Sequence, residues 1–221
     1  MIPLMKENET SILTADELDI LQEIMNIAFG RATADLADLI NIFINLSVPN
    51  VTVIGRSELP TYLTGELIDR KKGISLVEQK FWGRFRGSAL LVFPSNVGRE
   101  LITLLAAGPE SQSFESDPVD ELEKGVLMEI ANILIGACVG KIAELLGDVV
   151  TYSPPTVIVN QGDDRSLSGQ GNGSDEGSVI ALRTIFRFER RDVSGYLFLL
   201  TGDTTVDWLK KALQSFMERF E

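Results

Sequence analysis

A chain of 221 residues, 44% hydrophobic and 24% charged, carries enough apolar material for a sizeable core in one domain or two. Its net charge of −12 argues against nucleic acid and anionic membranes as partners, and the lack of any histidine removes phosphohistidine carriers, Ser-His-Asp and Cys-His nucleophile systems and imidazole-ligated zinc. One cysteine, Cys138, admits no intramolecular disulfide, no apolar run approaches the ~18 residues of a spanning helix, and residues 1–10 lack a secretory pattern, so the expectation is a cytoplasmic protein.

Thr14 with Glu17 three residues later is a capping box and opens the first helix. Leu18, Leu21, Ile24, Ile27, Leu36, Leu39 and Ile40 continue it at helical spacing, with an end expected in the mid-forties, before Pro49. A short β-branched strand is predicted over 51–55, then a polar connection over 60–72 containing Arg70-Lys71-Lys72. Strands over 73–82 and 84–93 form a hairpin turning at Gly83, and a helix runs from Pro94 to before Gly108. The acidic, polar stretch 110–121 reads as a link between two halves. A second long helix is predicted over 118–146, stopped by Gly147, followed by a strand over 151–160 broken at its start by Pro154-Pro155. A low-complexity loop over 161–177 separates it from strands over 178–189 and 194–200. A closing helix spans 203–220, with Thr201, Asp203 and Thr204 as candidate caps.

The order of elements repeats, and so does the sequence. A shift of 106 residues lays Glu23-Ile-Met-Asn26-Ile-Ala-Phe-Gly30 under Glu129-Ile-Ala-Asn132-Ile-Leu-Ile-Gly136, and 13 of the 37 positions over 17–53 are identical to their counterparts. Beyond the octapeptide the identities include Leu21/Leu127, Ser47/Ser153, Pro49/Pro155 and Val51/Val157. The expected architecture is an internally duplicated α+β fold (α/β in the broad sense). Its halves, 1–109 and 110–221, each run helix, three strands, helix, are related by a pseudo-two-fold axis and join in one compact unit, with the long helices packed on β-sheet.

At about 100° per residue, Glu129, Asn132, Gly136 and Gly140 fall within roughly 80° of one another on the second helix. Asp19, Glu23, Asn26, Gly30 and Ala34 make the same stripe on the first. A carboxylate and a carboxamide thus sit one turn apart on a strip of small residues, twice. A solvated helix face accounts for one such pair; the same register in both copies is a stronger signal. A glycine inside a helix costs about 1 kcal/mol relative to alanine, so Gly30 and Gly136 imply either a closely packed helix or the approach of a partner's backbone.

The pattern Asp/Ser-x3-Glu-x2-Asn, then twenty-one residues, then Pro, resembles the signature of the CheC/CheX/FliY family of chemotaxis phosphatases, and the chain looks most like a two-site, CheC-type member. The first copy is Asp19, Glu23, Asn26 and Pro49, with the proline one residue late; the second is Glu129, Asn132 and Pro154, with Gly125 in place of Asp or Ser at its head. The resemblance implies hydrolysis of the aspartyl phosphate of a CheY-like response regulator. Asn26 and Asn132 would orient the attacking water, Glu23 and Glu129 would dock a regulator lysine, and Asp19, Gly30 and Gly136 would contact the partner. It further implies no cofactor or metal of the chain's own, a Mg2+ ion carried by the regulator, a possible CheD-like deamidase as second partner, and a chain able to work as a monomer. The alternative is a non-catalytic adaptor that binds the regulator or CheD. Other features are weaker: Asp163-Asp164 and Asp175-Glu176 lack calcium-loop spacing, Gly169-x-Gly171-x-Gly173 has no strand-to-helix context, and Cys138 reads as a packing residue.

Overall fold

The computed structural model describes residues 12–40, 43–59, 61–62, 74–94, 101, 118–160, 178–189 and 194–219. Helix α1 (Ala15–Ile40) begins with the predicted capping box: the Thr14 amide donates to Glu17 Oε2 at 2.7 Å and the Glu17 amide to Thr14 Oγ1 at 3.2 Å. Its buried face is Leu21, Ile24, Met25, Ala28, Phe29 and Ala32. Helix α2 (Pro118–Leu145) buries Leu127, Ile130, Ala131, Leu134, Ile135 and Cys138, each the counterpart 106 residues on. The duplication is therefore present in burial as well as in letters, and the two helices pack on each other. Lys141 of α2 pairs with Asp35 of α1 at 3.0 Å and with Glu144 at 3.1 Å, closing one end of that contact.

Helix α2 stops as the sequence indicates. Gly147 takes φ +70°, the left-handed conformation that glycine adopts without a Cβ clash. The Asp148 amide then donates to Ala143 O at 2.8 Å and the Gly147 amide to Glu144 O at 3.2 Å, the two bonds of a Schellman turn. Asp148 next accepts from the Phe85 amide at 2.8 Å, which ties this helix end to the loop after Trp82. A Cβ on Gly83 would lie 2.7 Å from both Asp148 Oδ2 and Val149 O, so only glycine fits that crossing.

Among the described residues, eight strands form one sheet: β1 (Ile44–Leu46), β2 (Asn50–Gly55), β3 (Ile74–Trp82), β4 (Gly87–Pro94), β5 (Thr151–Tyr152), β6 (Thr156–Asn160), β7 (Ser178–Phe188) and β8 (Ser194–Gly202). The order is β1-β7-β8-β4-β3-β5, with β2 continuing β1 along β7 and β6 continuing β5 along β3; every pairing is antiparallel. The leading strand of each repeat thus docks on the hairpin of the other, and β4 joins β8 at the centre. Alternation along the strands sorts the side chains. Val77, Phe81, Leu91, Leu182, Phe186, Leu197 and Leu199 share a core with α1, α2 and the closing helix α3 (Val206–Met217), while Leu76, Leu90, Val92 and Phe198 form a smaller cluster. Each such fully buried aliphatic or aromatic side chain contributes about 1.5–3 kcal/mol.

Three expectations are corrected. Helix α1 ends at Ile40 rather than in the mid-forties, because Ile44–Leu46 pair with β7 and Ile44 is buried there at 1% exposure; ladder bonds and burial override the helical periodicity. The capping residue of α3 is Thr205, without a side-chain cap bond, after a short 3-10 turn over Asp203–Thr205. Thr201 instead donates to Arg86 O at 2.8 Å, anchoring β8 to the start of the hairpin strand. Finally, α2 over Glu121–Leu145 is long and apolar enough, by length and composition, to cross a membrane, yet half of that window is buried inside the fold against α1 and the sheet. The basic cluster 70–72, most of the helix predicted over 94–108 (Pro94 ends β4 instead, and Leu101 is buried), the link up to residue 117 and the loop 161–177 lie outside the described residues.

Candidate functional site

The buried positions of α1 and α2 leave the predicted stripes on the outer side. Glu129, Asn132 and Gly125 on α2 are exposed, as are Asp19, Glu23, Asn26 and Gly30 on α1; Gly136 is half-buried. The fold therefore presents Glu and Asn together at both places where the sequence put them. Neither Glu23 nor Glu129 forms a salt bridge with a described residue.

Opposite the second stripe runs the segment Tyr152-Ser153-Pro154-Pro155, which interrupts the strand between β5 and β6. It closes a cleft of about 510 Å3 with Gly125, Met128, Glu129 and Asn132. The Pro-Pro pair explains the interruption, because proline offers no ladder donor. Ser153 replaces the missing ladder. Its amide donates to Lys80 O at 2.9 Å, its hydroxyl accepts from the Lys80 amide at 3.0 Å, and Gln79 Nε2 donates to its carbonyl at 2.9 Å. The same Gln79 nitrogen donates to Asn132 Oδ1 at 2.9 Å, linking sheet edge and helix.

The first repeat carries the equivalent Ser47-Val48-Pro49 segment between β1 and β2. The Ser47 amide donates to Ile185 O at 2.8 Å, its hydroxyl accepts from the Ile185 amide at 2.9 Å, and Thr184 Oγ1 donates to its carbonyl at 2.6 Å. Asn26, by contrast, has no side-chain hydrogen bond to a described residue. The identities Ser47/Ser153 and Pro49/Pro155 were the visible trace of this docking. Gln79 and Tyr152 had no trace, since neither repeats.

Tyr152 donates its phenol to Gly136 O at 3.3 Å under α2. Desolvation, with the Cys138 thiol nearby as a lesser cause, pushes the phenol up to about 12, and burial pushes Cys138 itself far up, leaving an inert thiol. The folded state holds the Tyr152 proton more tightly than the unfolded chain does. Its stabilising contribution is thus complete below the ordinary phenol value of about 10 and is lost as pH rises through about 12. Alkaline unfolding of Tyr152→Phe is expected to lack that step; identical alkaline profiles for the two proteins would contradict it.

The glycines resolve one alternative. A Cβ on Gly30, Gly125 or Gly136 would meet no described atom within 4 Å, so no helix of the described fold packs on the stripe. Gly30→Ala and Gly136→Ala are accordingly expected to raise unfolding stability by about 1 kcal/mol each. Chemical denaturation checks this, and a loss of stability in either would show an unseen contact.

A duplicated helix bearing Glu-x-x-Asn, with a Ser-x-Pro break in each repeat, on an interlocked antiparallel sheet, has counterparts among known proteins. The sequence profile of the CheC-like family matches residues 17–53 and 122–159, nearly the two repeat segments themselves. In motif and in fold the chain thus resembles CheC-like proteins, and the family segment is matched twice. It is 25% identical over 201 residues to the CheY-P phosphatase CheC of Bacillus subtilis, spanning 90% of this chain and 94% of that one. It is 26% identical over 149 residues to the flagellar motor switch phosphatase FliY of the same organism, spanning 67% of this chain but only 37% of FliY. Among solved structures, Thermotoga maritima FliY superposes with a TM-score of 0.67 at 20% identity, covering 92% of this chain and 98% of that one. CheX from the Borrelia burgdorferi CheX–CheY–BeF3–Mg2+ complex superposes at 0.50 and 20% identity, covering 80% and 96%.

Proposed function

We infer that this chain is a phosphatase acting on the aspartyl phosphate of a CheY-like response regulator in chemotaxis signalling. The observation that carries the reading is the exposed Glu-x-x-Asn pair, present in the same register on both helices and borne on the segments that match the CheC-like family. The names of the two Bacillus relatives, both phosphatases, and the CheX–CheY complex support it.

The chemistry suits the residues. An acyl phosphate is already reactive, so its hydrolysis needs a water placed in line with the breaking bond more than it needs a strong base. The water oxygen bonds to phosphorus as the bond from phosphorus to the aspartate oxygen breaks. The regulator recovers a carboxylate, and orthophosphate leaves carrying the proton released by the water. A carboxamide accepts from and donates to that water without exchanging a proton of its own, which is the role of Asn26 and Asn132. Glu23 and Glu129, one turn away, pair with a regulator lysine and hold the helix in register. Asp19 contributes to docking at the first site only, since Gly125 stands in its place at the second. Gly30 and Gly136 leave room for the regulator's rim, and the regulator carries the Mg2+ that neutralises the phosphoryl oxygens. A cytoplasmic location belongs to the same proposal.

The direct test is the loss of phosphoryl group from a phosphorylated CheY-type regulator with and without the purified chain. Faster decay in its presence is expected; a rate equal to the regulator's own contradicts the reading.

A further inference from the structure

Gln79 stands outside both motif segments, yet it is the residue that fixes how Asn132 faces the cleft. Its side chain rises from β3 beneath α2 and is 1% exposed. Its two amide hydrogens have two acceptors: Ser153 O and Asn132 Oδ1, each at 2.9 Å. The polarity of this chain of bonds follows from the backbone. A carbonyl oxygen only accepts, so the Gln79 atom facing Ser153 is the nitrogen. That nitrogen also faces Asn132, which must therefore turn its oxygen inward. The Asn132 amino group, with both hydrogens, and one lone pair of Oδ1 remain for whatever enters the cleft.

The first site lacks this device. Lys80 and Ile185 hold their serines through the same pair of backbone bonds, so the counterpart of Gln79 is Thr184. A threonine hydroxyl has one hydrogen, and Thr184 gives it to Ser47 O at 2.6 Å. None is left for Asn26. Gln79 also leaves its own Oε1 buried with no partner among the described residues, an arrangement that works against stability.

We propose that Gln79 is a positioning residue that pre-orients Asn132, so that the two sites differ in turnover beyond any difference in docking. The proposal rests on the phosphatase reading above. Each site is isolated in turn: Asn26→Ala leaves the second and Asn132→Ala the first, and Gln79→Met is added to each. Through the second site, Gln79→Met is expected to lower kcat for a phosphorylated CheY-type regulator about tenfold, the value of one positioning hydrogen bond, with KM unchanged. The decrease in the Asn132→Ala background should be at least about threefold smaller. An equal decrease in both backgrounds, or less than about twofold through the second site, overturns the proposal.

Nuclear magnetic resonance on the free protein separates this from the phosphatase reading. The Gln79 side-chain amide pair, identified by its loss in Gln79→Met, should shift in Asn132→Ala and stay in place in Asn26→Ala. No shift in Asn132→Ala removes the tether and with it the proposal. A tether present in a protein that accelerates no dephosphorylation defeats the phosphatase reading, and the effect of Gln79 on turnover with it.

Discussion

Phe186→Ala is expected to remove about 3–5 kcal/mol of unfolding free energy, a large share of the roughly 5–15 kcal/mol of an ordinary domain. Phe186 is fully buried on β7, opposite Leu46 on one side and Gly195 on the other. Its ring meets Phe93 edge-on at 5.2 Å and Phe188 at 6.0 Å. A Cβ on Gly195 would overlap the Phe186 ring, so this glycine is what lets the ring lie across the neighbouring strand. Alanine would leave a cavity walled by two aromatic rings on a hydrogen-bonded sheet, with little freedom to collapse. Strand β7 also carries β1 and β2, and through Ile185 and Thr184 it holds Ser47 between them. Urea titration of Phe186→Ala should show a lower midpoint at an unchanged slope. A loss below about 1 kcal/mol would mean that the aromatic cluster is not the core of this face.

What could be read from the sequence, and what could not, follows from the range of the interactions. The Thr14/Glu17 capping box and the Gly147 stop are local bonds within a few residues, and both are present as expected. The stripe Glu129-Asn132 is local too, because helical geometry alone puts those residues on one face. The repeat told more than either copy did, since it paired Leu21 with Leu127 and Ser47 with Ser153 before any contact was known. The end of α1 was misplaced because Ile44 is decided by β7, more than a hundred residues away. The exchange of leading strands between the repeats was invisible for the same reason. Gln79 could not be found from the repeat, because its counterpart is a different residue type, Thr184; only the three-dimensional path from β3 to Asn132 reveals it.

Asn26→Ala combined with Asn132→Ala is expected to lower turnover of a phosphorylated CheY-type regulator by about 10²-fold or more, the usual cost of removing a preorganised polar group from a reacting centre. Neither side chain is part of the buried core. Both are exposed, the Asn26 side chain bonds to no described group, and among the described residues Asn132 is held by Gln79 alone. The double variant should therefore fold normally and still bind the regulator through Glu23 and Glu129. Either single variant retains the other site, and the tether predicts the larger loss for Asn132→Ala. The most direct measurement follows regulator binding and phosphoryl decay in the same samples, for the parent chain and the double variant. The account predicts retained binding with decay returned to the regulator's own rate. Unchanged decay in the double variant would contradict it, because the two asparagines would then not be the groups that place the water.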